Sequence, residues 1–428
     1  MKLRFFLTAF FIAAVTPLFA GGVFYNSNQS AEYFRTYERN AATDNADAVY
    51  YNMAGTTRMK DGIYVHGSNQ MLFQEATVKT DENQVVGDKT YKSDNPVWLC
   101  PNLYVLYKQN NWSAFTGLET IGATAIREWE DGLPTLDSLS ILNGGPGKSY
   151  VKGTSYYFAW RLGGAYAVNE LFSIGACGRV VTSRQHVEGY IVGSGNDKIE
   201  MDYTDDALGY SGEIGFNVYP VKEMTISFTY EMATKLDFKR NINDGKSGVA
   251  AMNLIDGEKK RLDLPQALRF GISYNITEKF RTEFGVDAYL EKYVNFERLD
   301  DSAAGIDADR DYGNTYEEGL TFEYTFNRMF LASIGFNLTQ IGQKKSATLD
   351  TSIPGAHADY WSAGIGGQVT PIEDLKINFG IGYTGFQKKY EYADYSDDLA
   401  AAFFGGSPSK EYNKQYIVIA VGAEYRFM

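Results

Sequence analysis

The sequence predicts an all-β transmembrane protein: an outer-membrane β-barrel of about fourteen antiparallel strands, with a small N-terminal plug, or hatch, in its lumen. Three observations predict this fold class. The 428-residue chain opens on an export signal, segments with a period of two recur from residue 63 onward, and tight turns alternate with long polar loops. No later segment has eighteen consecutive apolar residues, so no membrane-spanning helix is expected.

The first twenty residues have the three parts of a secretory signal. Lys2 and Arg4 give a basic start, residues 5–15 are apolar, and Ala20 ends a small-residue cleavage site. Pro17 and the short apolar run argue against an anchoring helix, although a signal anchor is the alternative. We therefore expect three parts in the chain: a signal peptide (1–20), a plug (21–61) and the transmembrane barrel (62–428).

Composition narrows the functional class. Aromatic residues make up 15% of the chain, mean hydropathy is only −0.30 and the net charge is −13. An exported, aromatic-rich and mildly polar chain suits strands whose apolar residues are diluted by alternation. The acidic balance argues against nucleic acid as a partner. Cys100 and Cys177 are too few for a disulfide scaffold, and either one bridge or two unpaired thiols is compatible with the sequence.

Residues 21–60 show no period of two. Ser30 can cap a helix from Ala31 to Arg39, and Asn45 can cap a second short helix before a tight turn at residues 52–55. About forty residues cannot readily bury a core of their own, so the segment needs a larger host. A barrel lumen is the host we expect.

From residue 63 onward the chain alternates between two faces. In residues 224–232 one face is apolar or aromatic (Met224, Ile226, Phe228, Tyr230, Met232) and the other is polar (Thr225, Ser227, Thr229, Glu231). The pattern recurs at 280–290, 375–383 and 417–427. About a dozen or more such segments are too many for one sandwich and suit a barrel. Glycines on the second face suit an inner wall that leaves room for other groups.

The connections predict the topology. Short turns are expected at residues 109–111, 169–170, 220–223, 275–279, 326–328 and 371–374. Long loops are expected at residues 74–95, 123–155, 183–207, 237–260, 295–314, 341–358 and 387–413. Short periplasmic turns alternating with long external loops give about fourteen strands with both termini in the periplasm, in the outer membrane of a diderm bacterium. Phe427, the penultimate residue, falls on the outward register of the last strand, where an aromatic residue is expected.

Three stretches carry a family resemblance. They are DAVYYNMAGTTRMKDG (47–62), LPQALRFGISYNITEKF (264–280) and IPGAHADYWSAGIGGQVTPIEDLKINFGIGYTGF (353–386). Together with the strand count and the plug, they make the whole mature chain resemble the FadL-type long-chain fatty-acid and hydrocarbon transporters of Gram-negative outer membranes. The chain departs from the family at Met53, where a proline is usual.

The resemblance implies passive, ligand-gated transport of a hydrophobic molecule, with a long-chain fatty acid as the first candidate. It also implies a monomer in contact with outer-membrane lipid. The plug gate would be the turn Asn52, Met53, Ala54 and Gly55, and Met53 puts in doubt any gating that needs a stiff proline. A kink in the third strand would open the wall sideways. The matching segment is 112–126, with Gly117, Glu119 and Gly122 as candidates, although glycines that simply pack against the plug are the alternative.

The residues that carry chemistry do not predict an enzyme. The three histidines, His66, His186 and His357, fall on one strand and in two expected loops, without a Ser–His–acid set or metal spacing. Four inward-facing arginines are candidates to hold a ligand carboxylate: Arg161, Arg179, Arg269 and Arg281. The alternative is that they pair with Glu231, Glu283, Asp287 or plug acids and fill the lumen.

An acidic loop imitates a calcium site, with Asp307, Asp309, Asp311 and Glu318 as its ligands. The glycine, Gly313, comes one place late and a strand follows, so a solvated loop is the better interpretation. We expect no metal and no cofactor. A general porin or an adhesin is the alternative function, and a plug argues against an open porin.

Overall fold

The structure is a computed structural model that describes residues 30–81, 86–121, 125–243, 248, 254–297, 313–342, 359–387, 389–392 and 409–427. The signal segment and residues 21–29 of the expected plug lie outside the described residues. No helix in the described ranges is long and apolar enough to span a bilayer.

Nineteen strand segments in the described part of the chain make fourteen strands, because five strands each comprise two described segments. The first seven are β1 (Gly62–Asp81), β2 (Lys89–Ser93 and Val97–Gln109), β3 (Trp112–Thr120 and Ala125–Trp129), β4 (Ser149–Ala167), β5 (Phe172–Val192), β6 (Lys198–Val218) and β7 (Met224–Glu231 and Asp237–Ile242). The others are β8 (Lys259–Arg261 and Ala267–Asn275), β9 (Phe280–Tyr289), β10 (Thr315–Thr325), β11 (Phe330–Gln340), β12 (Tyr360–Ile372), β13 (Leu375–Phe386 and Lys389–Tyr392) and β14 (Ser409–Phe427).

The strands form one closed antiparallel barrel. Each strand pairs with its neighbours in the chain, and β1 pairs with β14 from Ile63↔Phe427 to Asp81↔Ser409. Closure leaves no sheet edge for a bilayer to solvate. The predicted fold class and the count of fourteen are confirmed.

Alternation along the strands sets an inner and an outer face. In β7 the predicted polar face is buried and the apolar face is more exposed, and in β14 Phe427 points outward. Large apolar side chains cover the outside of the barrel, including Trp160, Leu162, Phe336 and Ile365. This apolar outer surface is the one that a bilayer would cover.

Two predicted loops are wrong. Residues 74–95 and 183–207 are largely strand, because β1, β5 and β6 run on well past the apolar band. Their polar side chains predict loops in the sequence. A strand whose outer face is exposed to water, however, needs no apolar residues on that face. The expected loop at 123–155 contains the helix Pro134–Leu142.

The segment before β1 has two short helices, α1 (Ala31–Thr36) and α2 (Ala48–Tyr51), and a 3₁₀ helix (Met53–Arg58). Ser30 caps α1 as predicted, since its Oγ accepts from the N–H of Tyr33 (3.0 Å). The helix stops at Thr36, short of Arg39, because Tyr37 adopts a left-handed conformation (φ 54°).

The predicted cap at Asn45 is wrong. The residue before α2 is Asp47, and it makes no side-chain cap bond. Its carboxylate instead accepts hydrogen bonds from Arg39 and Ser30. These bonds to residues outside the helix replace the helix cap.

Apolar side chains form two cores inside the barrel. The lower core joins residues of the segment 30–61, such as Phe34, Val49 and Met53, to the inner wall. The upper core lies under the helix Pro134–Leu142 and includes Trp129 and Tyr203. The lumen is therefore packed at two levels, and the functional site lies where the lower level meets the wall.

Candidate functional site

The structure describes residues 30–61 of the plug. Nearly all of its side chains up to Thr57 are buried. Helix α1 packs on β11 to β14, and the 3₁₀ helix packs on β4 to β6. The plug thus contacts opposite sides of the wall and occupies the lumen between them.

Wall glycines let the plug backbone approach closely. A Cβ atom added at Gly335 would lie 1.5 Å from the carbonyl oxygen of Thr36, and one at Gly364 would lie 2.2 Å from that of Phe34. We call the glycines of β8 to β13 that contact the plug the glycine bed; they are Gly271, Gly285, Gly319, Gly335, Gly364, Gly366, Gly380 and Gly382. Side chains at these places would fill the space that the plug occupies.

The four residues of the predicted plug gate lie in the turn that opens the 3₁₀ helix. Asn52 accepts from the N–H of Gly55 (3.2 Å) and donates to the carbonyl of Ala42 (3.0 Å). A Cβ on Gly55 would lie 2.1 Å from that same carbonyl oxygen. Met53 is fully buried, and Ser173 of the wall donates to the carbonyl of Ala54 (3.0 Å). The turn is held by an amide side chain and by the wall; its role as a gate stays a prediction.

Buried ion pairs hold the plug together. Arg39 contacts both carboxylate oxygens of Asp47 (2.6 and 3.0 Å) and one of Asp44 (2.9 Å). Ser30 donates to Asp47 as well (2.8 Å). The Arg39 and Asp47 side chains are both fully buried, so each charge depends on the other. We call Arg39, Asp47, Asp44 and Ser30 the plug lock.

Further polar contacts tie the plug to the wall. Arg35 donates to Glu323 of β10 (2.6 Å) and to Asn378 of β13 (3.1 Å). Glu32 accepts from Asn378 (2.7 Å) and contacts Nε2 of His66 on β1 (3.0 Å). The strand histidine, which has no catalytic partners in the sequence pattern, is therefore a plug contact.

Three of the four candidate arginines belong to one chain of alternating charges across β3 to β8. Arg161 contacts Glu119 (2.7 Å) and Glu213 (3.1 Å). Arg179 contacts Glu213 (3.4 Å) and Glu231, and Arg269 contacts Glu231 (2.5 Å). The ring centroid of Tyr50 in the plug lies near two arginines of this chain, 4.8 Å from Cζ of Arg161 and 5.6 Å from Cζ of Arg269.

The fourth arginine, Arg281, lies apart from this chain. It contacts Glu283 and Glu323 (3.0 Å) and approaches Asp44 of the plug (3.9 Å). All four arginines therefore pair with acids, as in the alternative given above, and binding of a ligand carboxylate by them stays a prediction.

The third strand has two described segments, and residues 122–124 between them lie outside the described residues. A sideways opening at this strand stays a prediction. The described ladder between β2 and β3 ends at Asn102↔Glu119. The second segment of β3, which begins at Ala125, has described ladder pairs with β4 alone. A Cβ atom added at Gly117 would lie 2.6 Å from the ring of Tyr104. Glu119 forms an ion pair with Arg161. Gly122 lies outside the described residues.

Hydrogen bonds bound the stretch of β2 over which no ladder pair with β3 is described. Below it, Thr120 donates to the carbonyl of Pro101 (3.0 Å). Above it, the N–H of Glu128 donates to Asn95 (3.0 Å) and Ser93 (3.2 Å). This stretch of β2 runs from Asn95 to Pro101 and is about 20 Å long at about 3.3 Å per residue. We call it the β2–β3 gap.

The outer rim of the gap is apolar and the strand beside it is bulged. Trp98 and Leu99 are consecutive exposed residues (58% and 68%), where regular alternation allows only one. The register of β1 and β2 shifts there. Asn69 bridges the bulge, accepting from the N–H of Cys100 (3.1 Å) and donating to the carbonyl of Trp98 (3.0 Å). A bulge commonly ends pairing or redirects side chains at functional sites.

The remaining candidates are resolved in part. Cys100 and Cys177 are free and buried, so they do not form a bridge. Asp307, Asp309 and Asp311 lie outside the described residues, and Glu318 is on the exposed face of β10. Within the described ranges, no group of three or more His, Cys, Asp or Glu side chains could hold a metal ion.

Glu38 is a buried plug carboxylate among other acids, which predicts a pH effect. Burial, and then the charges of Asp287 and Glu283, raise the pKa of Glu38 well above its ordinary value. Its stabilisation of the docked plug is complete below the ordinary pKa and is lost as the pH rises through the raised pKa. We expect Glu38→Gln to slow proteolysis of the plug at pH 8 by about tenfold, which corresponds to about 1.4 kcal/mol, and to leave the rate at pH 4 unchanged. An equal effect at both pH values would contradict this origin.

These features define a class: a closed outer-membrane β-barrel whose lumen is filled by its own N-terminal segment. A family model described as outer membrane protein transport protein (OMPP1/FadL/TodX) matches residues 11–427. The chain belongs to this family of outer-membrane transport proteins. The class expected from the sequence, a transporter in the outer membrane and not an enzyme, is confirmed.

Solved structures give the same fold at low identity. A Pseudomonas aeruginosa FadL homologue aligns with a TM-score of 0.72 and 13% identity over 94% of this chain and 98% of its own. The Pseudomonas putida toluene transporter TodX aligns with 0.64 and 12% over 90% and 96%, and the Ralstonia pickettii toluene transporter TbuX with 0.57 and 13% over 90% and 94%. A comparison with curated proteins finds no significant match.

The sequence did not reveal the plug lock, the glycine bed or the bulge. A signal existed for two of them. Inward glycines recur on neighbouring strands, and Trp98 and Leu99 break the alternation of β2. The plug lock has no comparable pattern, because its acids and arginines look like an ordinary solvated segment.

Proposed function

We propose that this protein carries hydrophobic small molecules across the outer membrane and releases them sideways through the β2–β3 gap, with long-chain fatty acids as the first cargo to test. The proposal rests on a lumen filled by the plug and on a bulge in β2 that exposes Trp98 and Leu99 on the outside of the wall. A lumen packed by the plug does not suit open diffusion, whereas a bulged strand with exposed apolar side chains suits exchange with lipid. The proposal keeps the division into a removable signal (1–20), a plug (21–61) and a barrel (62–428).

The periplasmic route is less suited to apolar cargo. A cavity of about 770 Å³ opens among the short turns, below the plug. Its walls include the charged side chains of Arg58, Lys222, Glu278 and Arg281. Apolar cargo would gain little there, since burial of apolar surface supplies the binding energy of such ligands. Release into the membrane through the β2–β3 gap avoids this water-exposed cavity.

A crosslink across the gap tests the route. If the β2–β3 ladder continued past Asn102↔Glu119, Cys100 would face Ile121, and both side chains are 1% exposed. We expect Ile121→Cys, joined to Cys100 by a short reversible bifunctional thiol reagent, to lower uptake of labelled oleate to the level of cells without the protein. Reduction should restore uptake. The cells should lack their own transporter, and Cys177→Ala should be present throughout.

A crosslink elsewhere in the wall is the matched control. Ser362 and Thr384 are paired neighbours on β12 and β13, so their cysteine variants, made in a Cys100→Ser background, crosslink without touching the gap. Uptake that survives the gap crosslink would reject lateral release. Absence of oleate uptake by the folded native protein would reject fatty acid as the cargo. A large steady conductance of the native protein would favour a porin.

A further inference from the structure

The strands β4 to β6 are longer than a membrane requires. They have 19, 21 and 21 residues, whereas β9 to β11 have 10 or 11. About 9–11 residues let a tilted strand span a bilayer. On the outside of β4 the apolar side chains end at Phe158 (42% exposed), and Tyr156, Thr154, Lys152 and Tyr150 follow toward the external end. This part of the wall therefore stands above the hydrocarbon, on the external side.

The outward face of this part carries charged and polar side chains in neighbouring positions. Arg184 of β5 pairs in register with Asp206 of β6, and its guanidinium donates to both carboxylate oxygens (2.7 and 3.2 Å). Asn241 of β7 donates to the same carboxylate (3.3 Å). Two residues further along β5, His186 contacts Asp202 of β6 (2.8 Å). We call the outward charged and imidazole side chains of β4 to β6 in this region the external ladder; they are Lys152, Arg184, His186, Glu188, Asp202 and Asp206.

Two tyrosines lie at the external end of the ladder. Tyr150 of β4 and Tyr190 of β5 are paired in register, and their rings are stacked with centroids 5.6 Å apart. Below them, Lys152 pairs in register with Glu188, and its Nζ lies 3.9 Å from Oε1 of that residue. From Tyr156 to Tyr150 the face runs for about 20 Å along β4 at about 3.3 Å per residue. It combines hydrogen-bonding groups with an aromatic surface.

The chemistry of the external ladder suits hydroxyl groups better than ions. Its three acids outnumber its two cations when His186 is neutral, so an anionic ligand would meet carboxylates. The ladder remains accessible, since the side chain of Arg184 is 71% exposed and those of Asp206 and His186 are 37% and 36% exposed. Such side chains donate to hydroxyl groups and accept from them, and aromatic rings offer an apolar surface to C–H groups. A sugar presents both hydroxyl groups and C–H faces.

We propose that the external ladder binds the core sugars of the glycolipid that surrounds the barrel in the outer leaflet. The ladder is continuous with the apolar band, because Asp206 lies two residues beyond Leu208 (55% exposed) on the outward face of β6. The outer leaflet of a diderm outer membrane is built of lipopolysaccharide, whose core sugars lie directly above its acyl chains. A molecule whose chains cover Leu208 therefore brings its sugars to the ladder. This binding is separate from the proposed transport and does not depend on its cargo.

The test measures the affinity of the purified protein, in detergent, for two fluorescently labelled lipopolysaccharides. One carries the complete core oligosaccharide (Ra chemotype), and the other keeps only the innermost acidic sugars of the core (Re chemotype). The variant is Arg184→Ala with His186→Ala and Asp206→Ala. Exposed ion pairs contribute little to stability, so the barrel should fold, and heat-modifiable migration in gels reports folding. Arg184→Gln with Asp206→Asn, which nearly keeps the side-chain volumes, replaces the triple variant if that one does not fold.

An exposed ion pair at the other end of the barrel is the matched control. Nζ of Lys60 lies 2.8 Å from Oε1 of Glu373 at the periplasmic end, and both side chains are about as exposed as that of Arg184 (68% and 72%). Lys60→Ala with Glu373→Ala therefore removes an exposed pair of opposite charges without touching the external ladder.

We expect the native protein to bind the Ra form about tenfold more tightly than the Re form, as for one to two hydrogen bonds to core sugars. The folded variant should bind both forms with the affinity that the native protein has for the Re form, and the control should keep the tenfold ratio. Equal affinity of the native protein for the two forms would overturn the proposal. A tenfold ratio that persists in the folded variant, or that is also lost in the control, would overturn it as well. So would an equal loss of affinity for both forms, because that loss would not involve the core sugars.

Discussion

Replacing Arg39 by methionine is expected to release the plug from the lumen while the barrel stays folded. Arg39 neutralises Asp47 at full burial and also contacts Asp44. Its loss leaves an uncompensated charge in the interior, which costs about 3–5 kcal/mol. The barrel ladder involves none of these side chains. The penalty therefore falls on docking of the plug, and a fraction of the molecules should have an open lumen.

Single-channel recording in planar bilayers measures this release directly. We expect the native protein to conduct little and Arg39→Met to show large openings. The double variant Arg39→Met with Asp47→Leu removes both charges and should recover much of the closed behaviour, because an apolar pair can replace a buried ion pair. If the double variant opens as often as the single one, the ion pair is not what retains the plug.

Replacing Gly335 by valine should displace the plug by a different cause. Even a Cβ at this position would lie 1.5 Å from the carbonyl oxygen of Thr36, and the main chain cannot yield as a flexible side chain does. Overpacking of a core costs about 1–3 kcal/mol, and a clash with backbone falls at or above the top of that range. We expect rapid cleavage of the plug by protease, with heat-modifiable migration of the barrel unchanged.

Gly178→Val is the matched control for this experiment. Gly178 lies on the exposed face of β5, and a Cβ there would meet nothing within 4 Å. The same change of residue should therefore leave the plug protected. Equal protection of the plug in Gly335→Val and in the native protein would mean that the glycine bed does not set the position of the plug.

The barrel could be predicted from the sequence because its rules are local. The alternation in residues 224–232 is visible within nine residues, and the composition of residues 220–223 predicts a turn. The same local rules misread residues 183–207. A strand whose outer face is exposed to water has a polarity similar to that of a loop. The pairing of β5 with β6 up to Val192↔Lys198 depends on the tertiary structure and not on a local pattern.

The candidate site was harder, since its partners are distant in the chain. Arg161 was identified as inward-facing by alternation alone, yet its acids, Glu119 and Glu213, are 42 and 52 residues away. Arg35 meets Glu323 across 288 residues. Register around a closed sheet decides such pairs, and a pattern within one strand carries no information about it.

The position of the plug has a consequence for biogenesis. The plug is joined directly to β1, which closes the barrel by pairing with β14. The glycine bed that the plug contacts lies on β8 to β13. We expect the later strands to form the glycine bed before β1 pairs with β14. Closure of the barrel and docking of the plug would then be one event. A chain that closed first would have to insert the charged plug into the lumen of a finished barrel.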